Sequence, residues 1–561
     1  MRTHHSKDGL TVNAVAGAHV VLLGWTIGET NRFGLRGFAV RRTDHAEGET
    51  YWMKGTKTFK SVNPSPAPGE QFSSLFHPFQ TFQWADYTAK PDRDYDYEIV
   101  SLYGDPAAMT RGASLTLTVH TESVTGPDHS VFFNRGSPAS QEYSRRFQDK
   151  PPSVAGPGAY TWLSRGLLEG ILDFIARAEG HNWSLKGAFY EFQWPAVLDA
   201  LAAAQARGAE VSVVFDDIAN ATGPAQKNKD AIGRANLDAL CIPRTHGTLM
   251  HNKFLVLSRG QTPVALLFGS TNLTENGIFG HANCAHVVEG SEPGATYLKY
   301  FEVLAADPPT TRGSHFKADN VAATPAPAPL PAHATVPVFS PRPKLEALDW
   351  YADLVGRAKS GVFMTFAFGM HPLFADVYAR TDGTLRMALM EKEWNGQNKD
   401  AQIARIRALQ VLPNVVIAVG NRIPLNGFDQ WLGELDRISN KVHVRWVHTK
   451  FALIDPLSDD PIVITGSANF SKASTDTNDE NMLVVRGSTR VANIYIGEFF
   501  RLHSHYAFRQ AVAIFMQQHP GASPSDFNVR FLDEDRDWTA DYFTPGDRNG
   551  RFVRRLYFSG S

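Results

Sequence analysis

The sequence is poor in cysteine, in net charge and in long apolar runs, and each shortage narrows what the chain can be. Its 561 residues include two cysteines, Cys241 and Cys284. That is too few for a disulfide framework and suits a reducing compartment. Fifty-five lysines and arginines face 57 aspartates and glutamates, a formal charge of −2. No global basic field announces a polyanion, so such a partner has to be held by a local patch. The stretch from Met1 to Leu10 is polar and has no signal-peptide core. The longest apolar run near it, His19 to Ile27, falls far short of the ~20 residues that cross a bilayer. The expectation is a soluble, cytoplasmic chain with no transmembrane segment.

What is present is a doubled motif. His251-Asn252-Lys253 is followed by Gly269-Ser270-Thr271-Asn272, and His448-Thr449-Lys450 by Gly466-Ser467-Ala468-Asn469. Positions 251 and 448, 270 and 467, and 272 and 469 are all 197 apart. A lone HxK triplet means little; two copies with GSxN at equal distance are hard to obtain by chance. In a strand, residues i and i+2 share a face, so each His projects with its Lys. Two copies brought together present two imidazoles, two ammonium groups, two hydroxyls and two carboxamides. That set suits a phosphate. One His attacks phosphorus and the other protonates the leaving oxygen. Lys253, Lys450, Ser270, Ser467, Asn272 and Asn469 hold the non-bridging oxygens and offset charge in the transition state. No carboxylate or Cys/His cluster accompanies either copy, so neither metal nor cofactor is expected.

At these residues the sequence resembles the phospholipase D superfamily, whose signature is HxKx4D repeated twice with GSxN downstream. The resemblance implies a covalent phosphohistidine and no metal. The second copy matches fully through His448, Lys450, Asp455, Ser467, Asn469 and Glu480. The first departs, with Ser258 at the place of the motif's Asp and Asn283 at the place equivalent to Glu480. The implied fold is multidomain, with two tandem α/β halves related by pseudo-twofold symmetry and meeting at one site.

Periodicity divides the chain. Residues 11–122 carry short β-rich runs that suggest an all-β sandwich. Trp25, Gly37-Phe38-Ala39-Val40 and Tyr97-Glu98-Ile99 resemble a fibronectin type III module, a binder or spacer whose partner the sequence does not name. Residues 123–158 read as a connector. Residues 159–306 alternate helix and strand as a first half. In this half Asp216-Asp217 end a strand as loop-facing or capping groups. Residues 307–344 include the Pro/Ala-rich run 322–331, a semi-rigid spacer. Residues 345–520 repeat the α/β order. The tail 521–561 interleaves Trp538, Tyr542, Phe543 and Tyr557 with Arg548, Arg551, Arg554 and Arg555, as a site rim or as packing.

The expected function is a metal-independent phosphodiesterase on DNA or RNA, a nuclease or nucleic-acid end-processing enzyme. The Asn478-x-Glu480-Asn481 segment resembles the superfamily's nucleases and cardiolipin synthases more than its secreted phospholipases. A phospholipase D acting on lipid headgroups is the alternative; an apolar aromatic pocket mouth would favour it, and a basic groove would favour nucleic acid. A degenerate binding protein is the third reading, opposed by retention of both His and both Lys. A carboxylate favours imidazolium, so the His that contacts Glu480 is expected to be the resting acid. With that contact inside one half, His448 is the acid and His251 the nucleophile; the resemblance leans the same way. Both motifs lie beyond residue 158, so a chain beginning near Gly156 is expected to keep its activity.

Overall fold

The computed structural model describes residues 1–67, 70–219, 223–310, 314–394, 397–420, 447–521, 531–547 and 550–560. Two four-stranded antiparallel sheets build the N-terminal sandwich. One orders Arg2–Lys7, Leu10–Ala16, Val21–Ile27 and Gln83–Asp86; the other orders Ala108–His120, Asp94–Asp105, Leu35–Asp44 and Glu49–Trp52. Alternation puts Leu10, Val12 and Ala14, and opposite them Leu115, Leu117 and Val119, into the core around Trp25 and Phe38. The first strand begins at Arg2, ahead of the expected start at residue 11. It is an edge strand without buried residues, so no apolar alternation marks it.

Each half is a seven-stranded mixed sheet. The first orders His129–Phe133, Cys284–Glu289, Thr262–Gly269, Lys253–Arg259, Trp183–Phe189, Glu210–Asp216 and Cys241–Arg244. The second repeats it as Thr335–Ser340, Glu480–Arg486, Ile462–Gly466, Phe451–Ile454, Gly361–Phe366, Leu385–Met390 and Val415–Val419. The stretch Phe254–Leu257 is buried throughout, as strands covered on both faces require. Two backbone bridges join the halves, Met250 to Asp479 and Ala282 to Val447. The 197-residue offset turns each bridge into the other, which is the signature of a local twofold.

Three expectations need correction. The connector 123–158 supplies the edge strand His129–Phe133 of the first sheet, and the spacer 307–344 supplies Thr335–Ser340 of the second. Both strands are short and lie beside Pro- and Gly-containing stretches that mask them. The apolar spacing from Leu163 to Ala178 suggests one helix, but the segment is split into Pro157–Ser164 and Leu167–Ala176 by left-handed Arg165 and Gly166. Removing residues before Gly156 would therefore strip a strand from the first sheet, so that truncation is no neutral cut.

The C-terminal tail is packing, not a site rim. Trp538 stacks on Phe82 at 5.4 Å and donates its indole N–H to the Leu35 carbonyl at 2.7 Å. Arg555 lies 3.9 Å above the Phe543 ring and donates to the Tyr542 carbonyl; Arg548 lies outside the described residues. The last helix, Arg551–Ser559, lies across the strand Val21–Ile27 at Gly24, where a Cβ would sit 2.2 Å from the Phe558 carbonyl oxygen. Gly24→Ala is expected to lift this helix at a cost of about 1–3 kcal/mol. Thermal melting and limited proteolysis would register it as a lower Tm and earlier cleavage after residue 540; an unchanged Tm would refute the contact.

Candidate active site

Each HxK motif sits where a central strand begins, beside the ends of two parallel strands. Carboxylates at those ends position the histidines through the backbone. Asp216 accepts the Met250 amide at 2.8 Å, and Glu391, at the equivalent place, accepts the Val447 amide at 3.0 Å. Asp216 is thus loop-facing as expected, while Asp217 pairs with Lys229 at 2.7 Å. Across the interface the His251 amide donates to the Asp479 carbonyl at 2.8 Å and the His448 amide to the Ala282 carbonyl at 3.2 Å.

The side chains cross as well. His251 Nδ1 lies 2.9 Å from Glu480 Oε2, and His448 Nδ1 lies 2.8 Å from Asn283 Oδ1. Each imidazole therefore takes its partner from the opposite half. An acceptor at Nδ1 fixes the neutral ring with its proton there, which leaves Nε2 available. Neither Nε2 has a protein partner among the described residues. The two ring centroids are 6.5 Å apart. Gly277 fixes the Asn283 amide by accepting from its Nδ2 at 2.7 Å, so Oδ1 faces His448.

The lysines are symmetric too. Lys253 Nζ donates to the His251 carbonyl at 2.7 Å and Lys450 Nζ to the His448 carbonyl at 2.5 Å. Both are buried, and two donors of each ammonium remain for an anion. The serines do otherwise than expected. Ser270 Oγ donates to Asn283 Oδ1 at 2.9 Å and Ser467 Oγ to Glu480 Oε2 at 2.6 Å, while each accepts a backbone amide. They orient the histidines' partners and have no hydroxyl proton left for phosphate. Asn272 donates to Glu191 at 2.5 Å, and the Oδ1 atoms of Asn272 and Asn469 are buried without a partner.

Asp455 is not brought to the site. It lies beyond the far end of the strand Phe451–Ile454, and one of its carboxylate oxygens accepts the amides of Lys359, Ser360 and Gly361. It ties a turn. Ser258, its counterpart in the first half, is buried. Three neighbours escaped sequence reasoning. The Tyr190 ring lies 5.0 Å from His251 and 5.2 Å from Lys253 Nζ, Glu191 follows it, and His281 stacks on His448 at 5.5 Å. Tyr190 and Glu191 directly follow an apolar strand's C-terminal end, the usual place for active-site groups in such sheets, and that was the available signal.

Burial dominates the electrostatics. Desolvation pushes His251 down to about 4 against the pull of Glu480, and pushes His448, with Lys450 adding to the effect, well below the ordinary imidazole range. Glu480 is held below the usual carboxylate value: burial works against ionisation, but His251, Lys253 and Ser467 outweigh it. The resting pair is a neutral imidazole beside a carboxylate. Desolvation lowers Lys253 to about 7 despite Glu480 and Glu191, and lowers Lys450 well below its normal value.

Free-enzyme ionisations govern kcat/KM. As pH rises through about 7, Lys253 loses its proton and with it a donor available to an anion. The expected result is an alkaline limb in kcat/KM near neutrality, with kcat holding to higher pH because a bound anion restores the lysine proton. A kcat/KM profile flat to pH 9 would contradict this.

A family model described as "Cardiolipin synthase, PLD-like domain" matches residues 171–305 and 422–503, which contain both HxK and both GSxN segments and Glu480 or its counterpart Asn283. No curated protein sequence matches the chain. Among solved structures, phosphatidylserine synthase of Haemophilus influenzae Rd KW20 is 11% identical, covering 61% of this chain and 85% of its own at a TM-score of 0.39. A yeast tyrosyl-DNA phosphodiesterase mutant is 11% identical over 57% and 87%, at 0.32. Nuc from Salmonella typhimurium, a phospholipase D family member, is 17% identical over 31% and 95%, at 0.23. Likeness at these scores adds nothing to the assignment, which rests on the family model and on the doubled motif converging at one interface: residues 171–305 and 422–503 carry a phospholipase D-like domain.

Proposed function

We propose that the protein is a metal-independent phosphodiesterase that works through a phosphohistidine on His251, with nucleic acid as its substrate. The observation that carries the phosphodiesterase chemistry is the crossed pair of imidazoles, each with Nδ1 on an acceptor and Nε2 open, flanked by two buried lysines; the choice of nucleic acid follows the resemblance of the Asn478-x-Glu480-Asn481 segment. The completeness of this set weighs against a degenerate binding protein. The two ammonium groups and the amides of Asn272 and Asn469 supply the charge and hydrogen bonds that a phosphoryl group needs, so the chemistry requires no metal.

The expected condition for naming the acid is not met, because Glu480 reaches the histidine of the other half. On the resting-charge argument alone His251 would become the acid. The transition state decides otherwise. A nucleophilic His starts neutral and becomes cationic as the N–P bond forms, and a buried carboxylate on Nδ1 stabilises that developing charge. An acid His starts cationic and becomes neutral, so a carboxylate opposes release of its proton. Asn283 is a neutral acceptor and holds the tautomer without that penalty. His251 Nε2 therefore attacks phosphorus, the bond to the leaving oxygen breaks, and His448 Nε2 gives that oxygen its proton. Bound phosphate anion raises the His448 pKa and so loads it. His448 then takes a proton from water, whose oxygen displaces His251.

A phosphodiester in a lipid headgroup is the second substrate class for the same chemistry. No helix among the described residues is long and apolar enough to cross a membrane, which leaves a membrane-surface substrate open to the assay. The sandwich's strand orders support a fibronectin type III-like module for placement. We assign the halves from residue 129 and from residue 335.

Quenched turnover should yield an acid-labile phosphohistidine in the wild type and in His448→Asn, and none in His251→Asn. Steady-state rates should fall by roughly 10²–10⁴-fold or more in either variant. An adduct surviving in His251→Asn but lost in His448→Asn would reverse the roles. The same assay in EDTA should lose nothing; loss restored by a divalent ion would overturn the mechanism.

A further inference from the structure

The halves repeat each other around the catalytic pair except at one corner. Phe189 pairs with Lys253 in the first sheet. Continuing the pairing of Met364 with Ala452 brings Phe366 opposite Lys450 in the second. This register makes Trp194 and His371 equivalent, and each is the cap before a helix that opens on proline. Trp194 lies 5.0 Å from Phe279 and 5.7 Å from Tyr160, and Tyr160 closes on Phe279 at 4.8 Å. The Tyr160 hydroxyl donates to Glu275 at 2.6 Å. Three rings plug that corner.

Among the described residues the second half has no such plug. His371 replaces Trp194, Lys472 stands 197 positions after Glu275, and Asp476, 197 after Phe279, turns to Lys317 at 2.5 Å. The space is a cavity of about 720 Å³ with Met370, Ile406 and Phe470 among its lining residues, and Asn398 and Lys472 at its exposed edge. It adjoins the site. Ser471 lies two residues after Asn469, and Thr477, also lining it, bonds to Asn478 at 3.3 Å, whose amide reaches Glu480 at 3.4 Å.

We propose that this cavity is the leaving-group subsite and receives the nucleoside that departs when a nucleic-acid phosphodiester is cut. The inference rests on the phosphodiesterase reading and on His448 as the acid. In-line attack from His251 sends the departing oxygen toward His448, which protonates it, and Gly369 to Pro372 line the cavity just past the strand end that lies beside Lys450. The volume falls in the range of small-ligand sites. An apolar floor suits the face of a base, while an amide and an ammonium at the edge suit its acceptors and a neighbouring phosphate. An acyl chain would find no use for that polar edge. Lys472 forms no ion pair among the described residues.

The test compares two thymidine 3′-phosphodiesters that differ in the leaving alcohol, thymidine through O5′ or trifluoroethanol. Ala401 lines the cavity from an exposed helix position, so Ala401→Trp fills the space without touching the core or the catalytic groups. The expected result is a roughly 10–100-fold loss in kcat/KM for the thymidine-leaving substrate, with the trifluoroethyl ester within about twofold of wild type. Lys472→Ala should move the same substrate in the same direction. Equal losses on both esters, or none on either, overturn the subsite. So does a loss confined to phosphatidylglycerol vesicles, which would assign the cavity to a lipid headgroup. Failure of the wild type to cleave either ester or form the phosphohistidine instead removes the phosphodiesterase reading itself.

Discussion

The buried hydrogen bond between His251 and Glu480 is the contact on which the rest of the molecule depends. It takes one partner from each half, and burying a carboxylate there is tolerable only because His251, Ser467 and Lys253 surround it. Leaving such a charge with a partner missing costs about 3–5 kcal/mol. The two sheets therefore have to meet in a single register, and the backbone enforces it: Met250 bridges to Asp479, one residue from each member of the pair. Arg244 reinforces the join, donating to Asp479 at 2.9 Å and to Asp307 at 2.7 Å while fully buried. Burial lifts Asp479 to about 6 against the pull of Arg244, so this ion pair spends much of its attraction on desolvation. Its value lies in fixing position.

The local twofold is kept where it builds geometry and broken where chemistry needs a direction. Backbone bridges, lysine-to-carbonyl bonds and serine-to-partner bonds occur in both halves with near-equal distances. The partners themselves differ, a carboxylate for His251 and an amide for His448. Two carboxylates would bias both imidazoles toward the cation and two amides would stabilise neither cation as it forms. One of each gives the two imidazoles different environments, the arrangement that the proposed division into nucleophile and acid uses. The same division recurs at the outer wall, closed by rings beside the first half and, among the described residues, open beside the second.

Much of this was legible in the sequence, and the limits are physical. The doubled spacing located both histidines, both lysines, Asn272, Asn469, Asn283 and Glu480, because strand periodicity fixes what shares a face. It could not say that Glu480 serves the other half, since no local pattern encodes which surfaces meet. Asp455 was misplaced because a motif position carries no direction: it sits at the far end of the strand from His448. Ser270 and Ser467 point at the right neighbourhood but spend their protons on Asn283 and Glu480. The edge strand Arg2–Lys7 buries no residue, and Thr335–Ser340 buries three in a row at one end, so neither shows alternation.

The sandwich and tail bear on the site through rigidity. The helix Thr489–Gln518 contacts strands of both sheets, and its Arg501 and Glu498 engage Arg165 and the carbonyls of Asn134 and Arg135 from the first half. Arg2, from the sandwich's edge strand, donates to Asn493 on that helix and to the carbonyls of Pro456 and Ser458. The last helix then returns over the strand at Gly24, and Tyr557 and Phe558 pack on Phe363 of the second sheet. The chain thus crosses between sandwich and catalytic halves at both ends. An N-terminal module tied down only by a linker would leave the second half free to shift. Clamped by Arg2 and by Phe558, the sandwich instead shares in holding the register that the His251–Glu480 bond demands.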